Sequence, residues 1–327
     1  MELRPLGATG IEISAIVFGA GAVGGAVFRG EPADRVETVR RALDAGVNWI
    51  DTAPGYGDGQ SEQNLGGILA ELGARPRLST KVRLTPDELD DIPAAARASL
   101  DRSLQRLQRS HVDLIQLHNR VLLQRDEASG AVGIDDVLGT GGVADAFDEL
   151  RRAGLADFAG FTALGDVGAL HQIVESGRFQ TAQVYHNVLN PSATRPLPPA
   201  FSALDYRELA RVAAHRGVGV LNIRVLAAGA IGGQPVRSRA ISPGSEPERD
   251  AERVARVAVA LEDEPGTLAQ QAIRFALGQR GISGVLVGFS NPEQVDDAVA
   301  AATLPPLGAR SQARLEALYV TDLEDDD

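Results

Sequence analysis

The sequence contains no cysteine, and this absence excludes a disulfide framework, a thiolate metal site and a cysteine nucleophile. We predict no metal centre. No apolar run approaches the roughly 20 residues that a membrane-spanning helix needs. The first residues, MELRPLGATG, have no basic segment followed by an apolar one, so we expect a cytoplasmic protein without a membrane partner. The net charge of −12 argues against a nucleic-acid binder that relies on general electrostatic attraction.

Lysine is nearly absent, because Lys81 is the only lysine among 32 basic residues. It is either a leftover in a GC-rich, arginine-biased coding sequence or a compact charge that arginine cannot replace. Aromatic residues make up 4% of the chain, and only four tyrosines and five histidines are available for proton transfer. The 44% hydrophobic and 23% charged residues are typical of a globular protein. The 327 residues suffice for one large α/β barrel or two average domains.

Short apolar runs alternate along the chain with amphipathic segments. The predicted strands are Ala15–Phe18, Val47–Ile50, Leu78–Val82, Val112–Leu117, Phe158–Thr162, Ala182–Tyr185, Gly219–Ile223 and Val285–Val287. The predicted helices are Ala33–Asp44, Gln60–Leu72, Pro93–Arg109, Val143–Arg152, Val167–Ser176, Leu204–Arg216, Glu248–Glu262, Leu268–Gln279 and Pro292–Ala302. This alternation predicts parallel pairing, either in a doubly wound sheet or in a closed barrel. Eight units favour a single (β/α)8 TIM barrel domain over residues 1–327.

Segments outside the repeating units complete the predicted fold. Residues 1–14, with a GATG turn, suit an N-terminal β-hairpin. Long loops at 119–141, 187–203 and 227–247 follow predicted strands, so we expect them at the C-terminal face of the barrel, where sites are built. The acidic residues 322–327 are expected to be frayed. Apolar stripes on barrel helices cover the sheet in any assembly, and the sequence therefore leaves the oligomeric state open.

Four residues suited to proton transfer fall at or just after the ends of predicted strands. Asp51 ends the second strand, Tyr56 lies in the loop behind it, and Lys81 and His118 end the third and fourth. In a barrel, these strand ends meet at one mouth. Each residue alone has an ordinary structural explanation, such as a turn or a helix cap for Asp51. The coincidence of the four with the only lysine favours a shared site.

The chemistry of these side chains is specific. An ammonium stabilises a neighbouring phenolate, a carboxylate keeps the ammonium charged, and a histidine can orient a carbonyl oxygen. Such a site suits protonation of a developing alkoxide, or deprotonation of an alcohol in the reverse direction. Because no side chain carries a hydride, a cofactor must supply it.

The sequence resembles the aldo-keto reductase family from Leu3 to Gly288. The stretch GVNWIDTA, with Tyr56, Ser61 and Glu62, matches the first signature of the family. Lys81 and His118 complete its tetrad. The resemblance implies a (β/α)8 barrel that binds NAD(H) or NADP(H) in an extended form. It also implies that Tyr56 is the general acid, that Lys81 and Asp51 tune it, and that His118 orients the substrate.

The resemblance further implies which residues bind the cofactor. They are Gly19, Ala20, Asp51, Thr162, Gln183, Ile223, Arg224, Leu226, Gly229, Gly288, Phe289, Ser290, Gln294 and Asp297. Two departures stand out. Thr162 and Ala163 occupy positions where the family usually has Ser-Asn, and Ile223 replaces an aromatic residue that stacks on the nicotinamide ring. Arg224 is expected to compensate by contacting the pyrophosphate.

The adenosine end of this predicted site lacks basic residues. NADP-selective members of the family generally place a Lys or Arg there to pair with the 2′-phosphate, and this chain has none between Arg280 and Arg310. NAD(H) is therefore predicted to bind at least as well as NADP(H). The alternative is that a basic residue of the 227–250 loop, such as Arg237 or Arg239, supplies the charge.

The leading functional hypothesis is an NAD(P)(H)-dependent oxidoreductase that interconverts a carbonyl compound and an alcohol. The segment Val287–Val295 resembles the branch with NAD-linked aldose dehydrogenases, so oxidation of a sugar to its lactone is an alternative. A cofactor-binding regulatory barrel with little turnover is an alternative of another class. The predicted substrate contacts are Arg120, Tyr185, His186 and Asn187, whereas the remaining histidines, His111, His171 and His215, are interpreted as structural or exposed.

Overall fold

The computed structural model of the protein describes residues 1–21, 23–199, 201–232 and 247–324. The strands are β1 (Leu3–Pro5), β2 (Glu12–Ser14), β3 (Ile16–Gly19), β4 (Trp49–Asp51), β5 (Arg77–Val82), β6 (Val112–Leu117), β7 (Val121–Leu122), β8 (Val132–Gly133), β9 (Ala156–Ala163), β10 (Thr181–Tyr185), β11 (Gly219–Ile223) and β12 (Ile282–Gly288). The helices are α1 (Pro32–Asp44), α2 (Gln60–Glu71), α3 (Ile92–Leu107), α4 (Ile134–Leu138), α5 (Val143–Arg152), α6 (Val167–Glu175), α7 (Leu209–His215), α8 (Pro247–Ala260), α9 (Leu268–Leu277), α10 (Pro292–Ala301) and α11 (Ala309–Val320).

Eight parallel strands close into a barrel in the order β3-β4-β5-β6-β9-β10-β11-β12, and β12 pairs with β3. Helices join successive strands and cover the outside of the barrel. Since both faces of such strands are covered, successive side chains of β5, β6 and β10 are buried with little alternation between buried and exposed positions. The predicted (β/α)8 barrel is confirmed.

The N-terminal hairpin closes one end of this barrel. Strands β1 and β2 pair antiparallel, with Leu3 opposite Ser14. Leu6 of the connecting turn packs against Gly219, the first residue of β11. An apolar cluster forms beneath the hairpin from Leu6, Ile13, Val17, Trp49, Leu114 and Leu221, all buried. A ligand therefore has to enter from the opposite end, where the carboxyl ends of the strands lie.

Some local predictions were wrong. The helix predicted from Leu204 begins only at Leu209, because Arg207 and Glu208 adopt positive φ angles of 48° and 58°. The loop predicted at 119–141 contains the paired strands β7 and β8 and the helix α4. Helix α11 was not predicted.

The acidic end of the chain is not frayed over the part that the structure describes, which ends at residue 324. Leu323 is fully buried, and the carboxylate of Asp322 forms ion pairs with Arg249 (2.8 Å) and Arg253 (2.7 Å). Residues 325–327 lie outside the described residues. The apolar packing of Leu323 and the two ion pairs of Asp322 hold this segment against the protein, which is why the prediction failed here.

Among the helices within the described ranges, none combines the length and the apolar character needed to cross a bilayer.

Candidate active site

A cavity of about 790 Å³ opens at the carboxyl ends of the barrel strands. Its lining includes Asp51, Tyr56 and His118, and it extends to Gln294 and Asp297 on α10. Of the three long loops predicted from the sequence, the described part of 227–247 contributes Ala228, Gly229, Ile231 and Gly232 to the lining, whereas 119–141 and 187–203 contribute no residue.

The four residues predicted to transfer protons lie together at this cavity. The ammonium of Lys81 donates hydrogen bonds to Asp51 Oδ2 (2.5 Å) and to the Thr52 carbonyl oxygen (2.9 Å), and it lies 3.2 Å from the Tyr56 hydroxyl. The Tyr56 ring meets the His118 ring edge-on, with centroids 5.7 Å apart. Lys81 is 1% exposed, so water screens its charge less than it would screen a charge at the surface.

Asp51 is the centre of a buried hydrogen-bond network. Its Oδ1 accepts bonds from Ser79 Oγ (2.7 Å), Gln116 Nε2 (2.9 Å) and Gln183 Nε2 (2.7 Å). The indole of Trp49 in turn donates to Ser79 Oγ (3.1 Å). Hydrogen bonds to a carboxylate favour its charged form. The sequence prediction missed Gln116, although it precedes His118 by two positions and the alternation of a strand places both on one face.

Opposing effects set the charge of Lys81. Burial favours the neutral amine, but the nearby charge of Asp51 and its hydrogen bond, together with Tyr56, outweigh it and raise the pKa of Lys81 above its ordinary value. The lysine therefore stays protonated over the whole range in which the protein is expected to work.

His118 has the opposite property. Burial, together with the charges of Lys81 and Arg83, lowers the pKa of His118 to about 3. The imidazole is therefore neutral near pH 7. A neutral imidazole can donate one hydrogen bond to a substrate oxygen, but it has no extra proton to give up as a general acid.

Contacts behind Tyr56 fix its loop. The Tyr56 amide donates to the Ala53 carbonyl (3.1 Å), and the Ser61 amide donates to the Tyr56 carbonyl (3.2 Å). Ser61 Oγ lies 2.8 Å from Thr52 Oγ1 and donates to the Ala20 carbonyl (2.9 Å). Ser61, at the start of α2, thereby ties the tyrosine loop to the segment that follows β3.

The residues predicted to bind the cofactor line the cavity, with one exception. Lining positions are Gly19, Asp51, Thr162, Gln183, Ile223, Arg224, Leu226, Gly229, Gly288, Phe289, Ser290, Gln294 and Asp297. Ala20 does not, and the prediction is corrected: it is fully buried, its amide donates to the Asp51 carbonyl (2.9 Å), and its carbonyl accepts from Ser61. Its role is to join two strand ends.

Unpartnered polar atoms in the wall of the cavity fit a nicotinamide dinucleotide. Thr162 Oγ1 and Arg224 Nη1 are buried without a hydrogen-bond partner among the described residues. Buried donors of this kind cost free energy unless a ligand satisfies them. A hydroxyl suits a carboxamide, and a guanidinium suits a phosphate.

The rim of the cavity joins the loop after β3 to the loop after β12. The backbone amide of Ala26 donates a hydrogen bond to the Phe289 carbonyl oxygen (2.9 Å), and Ser290 Oγ donates one to the Gly24 carbonyl oxygen (3.0 Å). A Cβ atom at Gly24 would lie 2.3 Å from the Phe289 carbonyl oxygen, so this close approach requires glycine. The sequence prediction did not include Gly24 or the nearby cavity residue Arg29.

At the α10 end of the cavity, side chains occupy the amides of the helix start. Asn291 Oδ1 accepts from the Gln294 amide (3.0 Å), and Gln294 Oε1 accepts from the Ser290 amide (2.8 Å). Asp297 accepts from Gln270 Nε2 (2.7 Å). The basic residues that line the described part of the cavity are Arg29 and Arg224. Arg237 and Arg239, considered above, lie outside the described residues.

The four predicted substrate contacts are not among the residues that line the described cavity, and these predictions are corrected. Tyr185 stacks on Tyr206 with centroids 5.6 Å apart. The His186 ring is fully buried and stacks on Phe275. The side-chain amide of Asn187 donates a hydrogen bond to the backbone carbonyl oxygen of Arg224 (2.9 Å). Arg120 is exposed to solvent away from the lining.

The other histidines have structural or exposed positions, as expected. His171 Nε2 lies 3.2 Å from the Tyr206 carbonyl oxygen. His111 is half exposed and lies 3.9 Å from a carboxylate oxygen of Asp157, and His215 is exposed at the end of α7.

Comparison with known proteins gives relatives along nearly the whole chain. The L-galactose dehydrogenase of Arabidopsis thaliana is 31% identical over 93% of this chain and 88% of its own length. The D-threo-aldose 1-dehydrogenase of a Pseudomonas species is 27% identical over 88% of this chain and 89% of its own. The solved holo form of aldo-keto reductase AKR11C1 from Bacillus halodurans shares the fold, with a TM-score of 0.74 and 21% identity over 98% of this chain and 96% of that one. Residues 15–320 match the Aldo/keto reductase family. The chain is therefore an oxidoreductase that belongs to the aldo/keto reductase family.

Proposed function

We propose that the protein interconverts a carbonyl group and an alcohol of a small substrate, with Tyr56 as the group that donates or accepts the proton. The observation that carries this proposal is the position of the Tyr56 hydroxyl, which lies on the cavity wall 3.2 Å from the buried ammonium of Lys81. A positive charge held at this distance stabilises the phenolate that is left when the hydroxyl gives up its proton.

The family uses nicotinamide cofactors, and the unpartnered atoms in the cavity fit one. Thr162 and Gln183 would hold the carboxamide, and Arg224 would hold the pyrophosphate. A bound nicotinamide supplies or accepts the hydride. The chain's own part is to place the substrate carbon at the ring and to handle the proton.

In the direction of reduction, neutral His118 donates a hydrogen bond to the carbonyl oxygen and orients it towards Tyr56. As hydride reaches the carbon, the oxygen gains negative charge and takes the proton of the Tyr56 hydroxyl. The Lys81 ammonium stabilises the phenolate that remains, and Asp51 keeps Lys81 charged and in place. Oxidation of an alcohol follows the same steps in reverse, with the phenolate accepting the proton.

Sugar oxidation is the specific form of this reaction that the relatives favour. Two relatives that align with most of the chain are named as dehydrogenases of L-galactose and of D-threo-aldoses. In such a reaction C1 of a cyclic aldose would lose a hydride, which a bound oxidised nicotinamide would accept. The C1 hydroxyl gives its proton to Tyr56, and a lactone forms. Aromatic residues are only 4% of the chain, which suits a polar substrate better than a flat stacked one.

We further propose that NAD(H) binds at least as well as NADP(H). The cavity residues at the start of α10 include no Lys or Arg, and Asp297 adds a negative charge there. The side chains of Asn291 and Gln294 already occupy nearby amides, so a 2′-phosphate would meet few free donors.

The test combines cofactor titration with turnover. Purified protein is titrated with NADH and NADPH, and the wild type and Tyr56→Phe are assayed with aldoses and simple aldehydes. We expect binding of NADH in both proteins, and turnover that Tyr56→Phe lowers by at least about a hundredfold, as expected for loss of a general acid. Turnover that survives this substitution would refute the role of Tyr56. Binding without turnover by the wild type on every substrate would favour a regulatory barrel.

A further inference from the structure

Two glutamine amides reach the same oxygen of Asp51 from different strands. Gln183, on β10, and Gln116, on β6, donate to Asp51 Oδ1 at 2.7 and 2.9 Å. Gln183 lines the cavity, whereas Gln116 is fully buried and does not. A ligand that engages the Gln183 amide therefore leaves Gln116 as the side-chain amide that still holds Oδ1.

The barrel makes room for Gln116 at the neighbouring strand. Gly160 of β9 pairs with Gln116 in the register of the sheet. A Cβ atom at Gly160 would lie 3.2 Å from Gln116 Cγ and 2.2 Å from Thr181 Oγ1. The glycine therefore accommodates the long side chain inside a tightly packed layer.

Stability alone does not explain a glutamine at this position. Gln116 Oε1 is buried and has no hydrogen-bond partner in the described structure. A buried acceptor without a partner costs free energy, and a leucine of similar size would avoid that cost. The amide that the chain retains here is the one that faces Asp51.

We propose that Gln116 is a positioning residue that holds Asp51 Oδ1, so that Oδ2 faces Lys81 and the ammonium stays against the Tyr56 hydroxyl. The inference rests on the proposed role of Tyr56. Without Gln116, the carboxylate loses one of three neutral donors on Oδ1 and gains freedom to rotate.

The test is Gln116→Leu in the full-length protein. We expect kcat to fall about tenfold, equivalent to about 1.4 kcal/mol, while the Kd for NADH stays unchanged because Gln116 is not in the cavity wall. Phenolate absorbance of the protein without cofactor provides a second measurement. Subtracting the absorbance of the matching Tyr56→Phe variant from that of each protein isolates the phenolate of Tyr56. Burial raises the pKa of Tyr206 and Tyr319 well above the ordinary value for tyrosine, so these two side chains contribute little phenolate absorbance. The Tyr56 midpoint should move to higher pH in Gln116→Leu.

Thr181→Val is the matched control. Thr181 lies in the same layer, and its buried hydroxyl has no partner in the described structure, so this variant changes packing without touching Asp51. Thr181→Val should keep the wild-type kcat and the wild-type midpoint of the Tyr56 phenolate titration. Gln116→Glu is a second variant should Gln116→Leu not fold: it should work only at low pH, where a protonated Glu still donates to Asp51.

An unchanged kcat and midpoint in Gln116→Leu, or equal losses in Gln116→Leu and Thr181→Val, would overturn the positioning role. A Gln116→Glu variant whose activity follows the wild-type pH profile would do the same. Full activity of Tyr56→Phe would instead refute the proposed function itself.

Discussion

The side-chain amide of Asn187 donates a hydrogen bond to the carbonyl oxygen of Arg224 at 2.9 Å. Arg224 has a φ of +63°, a conformation that residues other than glycine rarely adopt. Asn187 Oδ1 also accepts from the amides of Leu189 and Asn190, which fixes the amide orientation. The turn after β10 thus holds the backbone from which the Arg224 side chain enters the cavity.

Replacement of Arg224 by Gln should weaken the binding of NADH and NADPH alike. The variant loses a charged donor that has a buried, unpartnered nitrogen, and we expect Kd values at least about tenfold higher for both cofactors. Fluorescence titration measures this. Arg29→Gln is the control, since it removes one positive charge from an exposed position in the same wall. Equal effects of the two variants would show general attraction rather than contact at Arg224.

The two partners of the buried ion pair should differ in their effect on stability. Asp51→Asn leaves the Lys81 ammonium with only the Thr52 carbonyl and the Tyr56 hydroxyl, a loss of about 3–5 kcal/mol in the free energy of unfolding. Lys81→Met should cost about 1–2 kcal/mol less, because Asp51 keeps three neutral donors. Urea unfolding at pH 7 compares them. A larger loss in Lys81→Met would contradict this account.

A basic residue at the start of α10 should change cofactor selectivity. Gln294→Arg places a guanidinium in the cavity wall where the described structure has no cation, so NADPH should bind about tenfold more tightly and NADH little differently. Parallel titrations measure both Kd values. Gln312→Arg on α11, an exposed position outside the cavity lining, is the control for added charge. If NADPH already binds a hundredfold better than NADH to the wild type, the proposed preference is wrong.

The buried His186 should make the protein sensitive to acid. Burial and the charge of Arg195 lower the pKa of His186 to about 3, whereas an unfolded histidine binds a proton below about pH 6.5. The unfolded state therefore binds more protons between these values, and stability falls with falling pH by about 1.4 kcal/mol per pH unit for this group. His186→Phe, which retains the stacking on Phe275, should flatten the pH dependence by that amount.

Free energies of unfolding between pH 6.5 and 3.5 test this prediction. His111→Phe, at an exposed position, should leave the slope as it is. An identical slope in wild type and His186→Phe would contradict it.

The barrel and the four central residues could be predicted because their signals are local. Each strand is a short apolar run, and a polar residue at its carboxyl end has to face the mouth. The only lysine at the end of one such run identified the site. Thr162 and Gln183 were assigned through the resemblance to the family, and both line the cavity. Ala20, assigned in the same way, does not, because its side chain lies in the packed joint between two strands.

The corrected substrate contacts depend on distant contacts that spacing does not reveal. Tyr185 is covered by Tyr206, which Ser192 Oγ holds by accepting a bond from the Tyr206 amide (3.0 Å). His186 packs on Phe275 of α9, far along the chain. Gln116 had one local signal, its two-residue spacing from His118, but its bond to Asp51 depends on the neighbouring strands and could not be predicted from spacing.

Trp49, the only tryptophan of the chain, is fully buried and donates to Ser79, which donates to Asp51. Two successive hydrogen bonds therefore connect the indole of Trp49, through Ser79, to the carboxylate of Asp51. Its emission gives the protein a built-in optical reporter, free of interference from other tryptophans. A change in the hydrogen bonds of Asp51 can therefore be followed by the fluorescence of Trp49, without a label and without a substrate.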